Sequence, residues 1–250
     1  MLLAVDIGNT STSLGIFIKN KLIFTYNIPT SSDFKKTYLH KKIISVCNNN
    51  DIRVDHLTNI GISSVVPAKN NFWRELNRDY FKLLPHFVTY KSKTSIKLKI
   101  DNPKEIGADR ICNAVAGYEL FKRRENIIVI DFGTATTYDV VLKNGDYIGG
   151  IIAPGIETLS QSLHQRTAKL PLLIPDKHFV FPRFPIGRNT LEAMQAGLMY
   201  SSLDSMERMV QRVEKSLKSK FKIVLTGGLS NLISKRTKYK VTHKKFLVLW

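Results

Sequence analysis

The chain has 250 residues, 43% of them hydrophobic, which excludes a disordered chain and allows one large domain or two of about 100–150 residues. With two cysteines, Cys47 and Cys112, and no run of ~20 apolar residues, it has neither a disulfide framework nor a membrane-spanning helix. A formal net charge of +18 favours anionic partners such as nucleotides and phosphorylated metabolites.

The apolar run Leu2 to Val5 is too short for a secretory leader and Asp6 interrupts it, so the expected location is the cytoplasm, with the cysteines reduced. The lysines cluster at 35–42, 91–99 and 235–245 without interleaved aromatics in a nucleic-acid-binding motif. They read as a solvated surface, and neither nucleic acid nor membrane is an expected partner.

In chain order, residues 2–6, 13–18 and 22–28 read as three meandering strands, the last two joined by a turn at Lys19 to Lys21. A helix is expected from about 33 to 48, a strand over 59–67, a helix over 70–84 and a strand over 85–90. The second half repeats this order. A helix is expected near 107–123, then strands at 127–131, 136–142 and 147–155. Helices follow at about 156–165 and 189–219, then strands at 222–228 and 246–250. Leu191, Met194, Leu198, Met199, Leu203, Met206 and Val210 form one apolar helical face, expected in the core or at a dimer contact. The spacing predicts an α/β protein with a duplicated βββαβαβ layout, residues 1–115 and 116–250, and a ligand cleft between the halves.

Each half opens with a strand that ends in Asp-x-Gly. In D-I-G-N-T, residues 6–10, Gly8 allows a tight turn, and Asn9, Thr10, Ser11 and Thr12 add side-chain donors. Turn N–H groups of this kind form a concave nest for phosphate oxygens. Asp6 at the strand end suits Mg²⁺. The stretch D-F-G-T-A-T-T at 131–137 repeats the recipe, and T-G-G at 226–228 adds a third glycine turn after a strand. Two such loops could clamp a triphosphate. There is no Walker A motif and no Rossmann glycine fingerprint. Asp109 and Arg110 open a helix, where a carboxylate can accept a hydroxyl proton and an arginine can pair with a substrate carboxylate. Arg110 is expected to keep Asp109 ionised.

These loops resemble those of the superfamily of actin, sugar kinases and heat-shock ATPases, whose fold is ribonuclease H-like. More narrowly, the chain resembles the type III pantothenate kinases, also called Bvg accessory factors. The matching pieces are DIGNT (6–10), GADR (107–110), DFGTATT (131–137), GGIIAPG (149–155), RTAKLP (166–171), GRNTLEAMQAG (187–197) and TGG (226–228), in the family's order over nearly the whole chain.

The resemblance implies ATP-dependent phosphorylation of pantothenate, with Mg²⁺ accompanying ATP and K⁺ or NH₄⁺ as a monovalent cation. It implies that Asp6, Ile7, Gly8, Asn9, Thr10, Ser11, Thr12, Ser13 and Thr134 contact ATP. Gly107, Ala108, Asp109, Arg110 and Thr190 would bind pantothenate, with Asp109 as base. Asp131 would hold the monovalent cation. The family is homodimeric. One departure is Ile100, where many members carry a tyrosine. A regulatory or nucleic-acid-associated protein on the same fold, or a kinase for another small alcohol, are the alternative readings.

Overall fold

The computed structural model describes residues 1–245 except Asn20, Asp33 and Asp176; the strand expected at 246–250 lies outside the described residues. The chain forms two compact units, residues 1–93 with 102–113, and residues 94–101 with those from 114 onward.

In the first unit, β1 (Leu2–Ile7), β2 (Ser11–Ile18) and β3 (Lys21–Pro29) form an antiparallel meander. Helix α1 (Lys36–Asn48) leads to β4 (Asn59–Ser64), and α2 (Pro67–Leu76) leads to the short β5 (His86–Phe87). Both β4 and β5 run parallel to β1, giving the order β3-β2-β1-β4-β5. The central strand β1 of this mixed sheet is buried on both faces: Leu3, Ala4, Val5 and Ile7 are all buried. Leu39, Ile43 and Cys47 of α1, spaced by four, and Trp73 and Leu76 of α2 close this core.

In the second unit, β6 (Lys97–Leu98) pairs at the sheet edge with the end of a second meander. Helix α3 (Ala108–Leu120) gives its first six residues to the first unit and the rest to the second. Strands β7 (Ile127–Phe132), β8 (Ala135–Val141) and β9 (Asp146–Pro154) form the meander. After α4 (Ile156–Arg166) and the long α5 (Thr190–Leu217), β10 (Lys222–Thr226) pairs parallel to β7. A single turn, α6 (Ser230–Ser234), precedes β11 (Val241–His243), which pairs parallel to β10. The order is β11-β10-β7-β8-β9-β6. Apart from β6, it repeats the first sheet strand for strand. This is the duplicated βββαβαβ fold of the actin-like ATPases. Six of the seven apolar α5 residues named above are buried against β7, β8 and β10, and Leu191 is partly buried.

The structure differs from the expected elements in four places. Helix α2 starts at Pro67 rather than 70, because proline suits the first helical position, where its missing N–H is no loss. It ends in a π turn, Asn77–Phe81, stopped by Lys82 in the left-handed region. Strand β5 is reduced to two residues, pairing only Gly61 with His86 and Ile62 with Phe87. Strands β6 and β11 were not expected: each is short and flanked by lysines, so its sequence carries no alternation.

Candidate active site

The first loop spans Gly8 to Thr10 between β1 and β2. It is closed by Gly8 N–H donating to Ser11 O (3.0 Å). Two buried threonines brace it from behind. Thr30 Oγ1 donates to the Gly8 carbonyl at 2.8 Å. With that proton committed, the 2.8 Å contact between Thr12 and Thr30 runs from the Thr12 hydroxyl to Thr30 Oγ1. Asn9, Thr10 and Ser11 are exposed, Ser13 is half-buried, and Ile7 lies fully in the core. The solvent side of the loop therefore offers Asn9, Thr10 and Ser11, while Ile7 and Thr12 support it.

Asp6 is the penultimate residue of β1. Across the sheet it lies in register with Ser63 of β4, whose hydroxyl donates to Asp6 Oδ1 at 3.0 Å. Gly107 precedes α3, and Asp109 and Arg110 lie in its first turn. The Arg110 N–H donates to Asp109 Oδ1 at 2.8 Å. A Cβ on Gly107 would collide with that carboxylate, so a side chain here would displace Asp109. Burial pushes the Asp109 carboxyl above the usual carboxylate range, and the Arg110 N–H and guanidinium offset only part of this. Arg110 pulls Asp109 toward its ionised form, desolvation outweighs that pull, and the raised proton affinity makes Asp109 a stronger base.

Cys112, one turn after Asp109, joins the same cluster. Burial, with Asp6 and Asp109 nearby, pushes its thiol up to about 12, while a hydrogen bond with Ser63 acts the other way. Neither Ser63 nor Cys112 figured among the expected site residues. The signals were a hydroxyl at the end of the strand parallel to β1 and a polar residue three positions after Asp109.

In the second unit, Asp131 is the penultimate residue of β7, in register with Thr226 of β10. The two-residue loop Gly133-Thr134 follows. The Thr134 carbonyl accepts from Gly155 N–H (3.0 Å) and from the Thr158 hydroxyl (2.6 Å). Gly227 adopts φ +91°, and a side chain there would strike Asp131 and the Phe132 backbone, so the T-G-G turn packs directly on the second loop. Ser230 holds that turn: its hydroxyl donates to Gly227 O at 2.6 Å. His243 Nε2, 2.9 Å from Ser230 Oγ, is then the donor in their contact.

Thr190 is the first residue of α5. Asn189 caps the helix by accepting from Glu192 N–H (2.9 Å), and Glu192 accepts from Arg188 N–H (2.9 Å). Thr190, Arg188 and Asn189 line one end of a groove of about 750 Å³ between α4 and α5, whose floor includes Met194 and Leu198. Ile100 lies beside Gly149 of β9. The first unit thus brings together Asp6, the first loop, Gly107, Ala108, Asp109 and Arg110. The second carries Asp131, Thr134 and Thr190.

Duplicated sheets with a carboxylate-ended first strand and a glycine turn define the class: an actin-like ATPase or kinase fold. The likeness to a Baf family transcriptional activator from Campylobacter jejuni is one of fold, at 17% identity and TM-score 0.56 over 98% of this chain and 92% of that one. The family model for type III pantothenate kinase matches residues 2–212. A type III pantothenate kinase of Myxococcus xanthus is 36% identical over 100% of this chain and 95% of its own length. One from Citrifermentans bemidjiense is 39% identical over 94% and 90%. The chain belongs to the type III pantothenate kinase family.

Proposed function

We propose that the chain transfers the terminal phosphoryl group of ATP to the primary hydroxyl of pantothenate, the first step toward coenzyme A. The observation that carries this reading is Asp109: a carboxylate whose proton affinity burial has raised, held at a helix start beside Arg110. Asp109 accepts the hydroxyl proton as the oxygen attacks phosphorus. Gly107, Ala108, Arg110 and Thr190 bind pantothenate, with the Arg110 guanidinium pairing with its carboxylate. Asp6 through Ser13 and Thr134 contact ATP.

Among the described residues, no group of three or more His, Cys, Asp or Glu is placed to hold a metal ion. The single carboxylate at each loop fits an ion that arrives with the nucleotide and keeps its waters, which is how Mg²⁺ is held beside phosphates. Mg²⁺ would meet Asp6 and neutralise charge on the phosphates. Asp131 takes the monovalent cation, K⁺ or NH₄⁺.

Homodimerisation is supported by exposed apolar side chains in the second unit, Ile152 at 66%, Phe184 at 59% and Ile186 at 82% exposure. No described helix is long and apolar enough to cross a membrane, and we place the reaction in the cytoplasm, where ATP is supplied.

The test is ATP consumption by purified protein with pantothenate, Mg²⁺ and either K⁺ or Na⁺. Turnover that requires pantothenate and K⁺ supports the reaction, substrate and cation together. ATP binding without pantothenate-dependent turnover overturns the substrate.

A further inference from the structure

We propose that Ser63 is a positioning residue that orients the Asp6 carboxylate toward metal-bound nucleotide. The proposal rests on the phosphotransferase reading and names a further part of that site.

Ser63 and Asp6 are register partners on parallel strands, so their side chains leave the same face of the sheet side by side. Ser63 is 4% exposed. Its hydroxyl has one proton, and the 3.0 Å contact with Asp6 Oδ1 uses it, because an ionised carboxylate only accepts.

The bond links two elements, since Ser63 is the next-to-last residue of β4 and Asp6 the next-to-last of β1. Removing the Ser63 hydroxyl takes one buried charge-assisted hydrogen bond from the Asp6 carboxylate, the kind that sets a rotamer. The loss falls on binding of the metal–nucleotide. Asp109 keeps its own partner, the Arg110 N–H.

The experiment compares the full chain with Ser63→Ala and Ser63→Thr. Calorimetry measures ADP binding with and without Mg²⁺ and pantothenate binding, with thermal unfolding as the check on folding. Ser63→Ala is expected to weaken Mg²⁺–ADP by about tenfold, the scale of one hydrogen bond to a charged group, while metal-free ADP and pantothenate binding hold. Ser63→Thr restores it. A folded Ser63→Ala protein with unchanged Mg²⁺–ADP affinity overturns the proposal. So does an equal loss in all three ligands, which marks general structural damage. If the parent protein turns over no pantothenate while Ser63→Ala still weakens Mg²⁺–ADP selectively, the reaction assignment falls and the positioning role stands.

Discussion

Asp6 and Asp131 are each the next-to-last residue of the first strand of their meander, and each lies in register with a hydroxyl residue on the parallel neighbour, Ser63 for Asp6 and Thr226 for Asp131. The duplication therefore extends from strand order down to the side chains that flank the two carboxylates. What differs is the loop after each: three residues in the first unit, two in the second. One topology thus carries two different sites, and the roles proposed for Asp6 and Asp131 differ accordingly.

Asp109→Asn should retain ATP binding and lose turnover by roughly 10²–10⁴-fold, the usual contribution of a general base. Steady-state kinetics beside nucleotide binding measures the split. Normal turnover would remove Asp109 from the mechanism.

The pH dependence follows from the direction of the Asp109 shift. A base works only when deprotonated, so activity should fall on acidification through a midpoint above the ordinary carboxylate range. Stability runs the other way. A carboxyl whose folded-state affinity for its proton is raised contributes stability at low pH that is lost as pH rises from the unfolded value through the raised folded value. At neutral pH the ionised Asp109 therefore costs stability. Asp109→Asn should melt at or above the parent temperature while being nearly inactive, and a clearly lower melting temperature at neutral pH contradicts this account.

Asp131→Ala should weaken ATP use and abolish any K⁺ dependence. Rates in K⁺, NH₄⁺ and Na⁺ salts measure it. A parent enzyme indifferent to these ions removes the cation role from Asp131.

Gly227→Ala should raise the KM for ATP and destabilise the chain by about 1–3 kcal/mol, the cost of a non-glycine residue held in an unfavourable backbone region. The φ of +91° and the collision with the Phe132 backbone both act in that direction. Ser230→Ala, which removes the 2.6 Å bond to Gly227 O, should raise the KM for ATP with a smaller loss of stability. Chemical denaturation and ATP titrations separate the two effects.

Asn189→Ala removes the cap of α5 and should cost about 1 kcal/mol. Because Thr190 is the next residue, the KM for pantothenate should rise while that for ATP stays. An unchanged KM for pantothenate would detach Thr190 from the substrate site.

Much of this was legible in the sequence. The fully buried Ile127 to Ile130 and the apolar stripe of α5 announce themselves by hydrophobic run and helical period. Asp-x-Gly at two strand ends and the glycine turns at 107 and 227 mark the loops, and Gly227, at φ +91° against the Phe132 backbone, is a position a side chain would strain. The short strands β6 and β11 were not legible, because two or three residues among lysines carry no periodicity, and only pairing to β9 and β10 makes them strands.

The sequence by itself determined the order of the longer strands and helices, the duplication, the two carboxylate-ended loops and the family, since these rest on local pattern and motif order. Tertiary structure decided which side chains meet: Ser63 with Asp6 across 57 positions of sequence, and Ser230 with His243 behind the T-G-G turn. It also decided the direction of the Asp109 shift. Arg110 is its neighbour in sequence and pulls the carboxyl down, but burial is a property of the packed chain, and burial outweighs it.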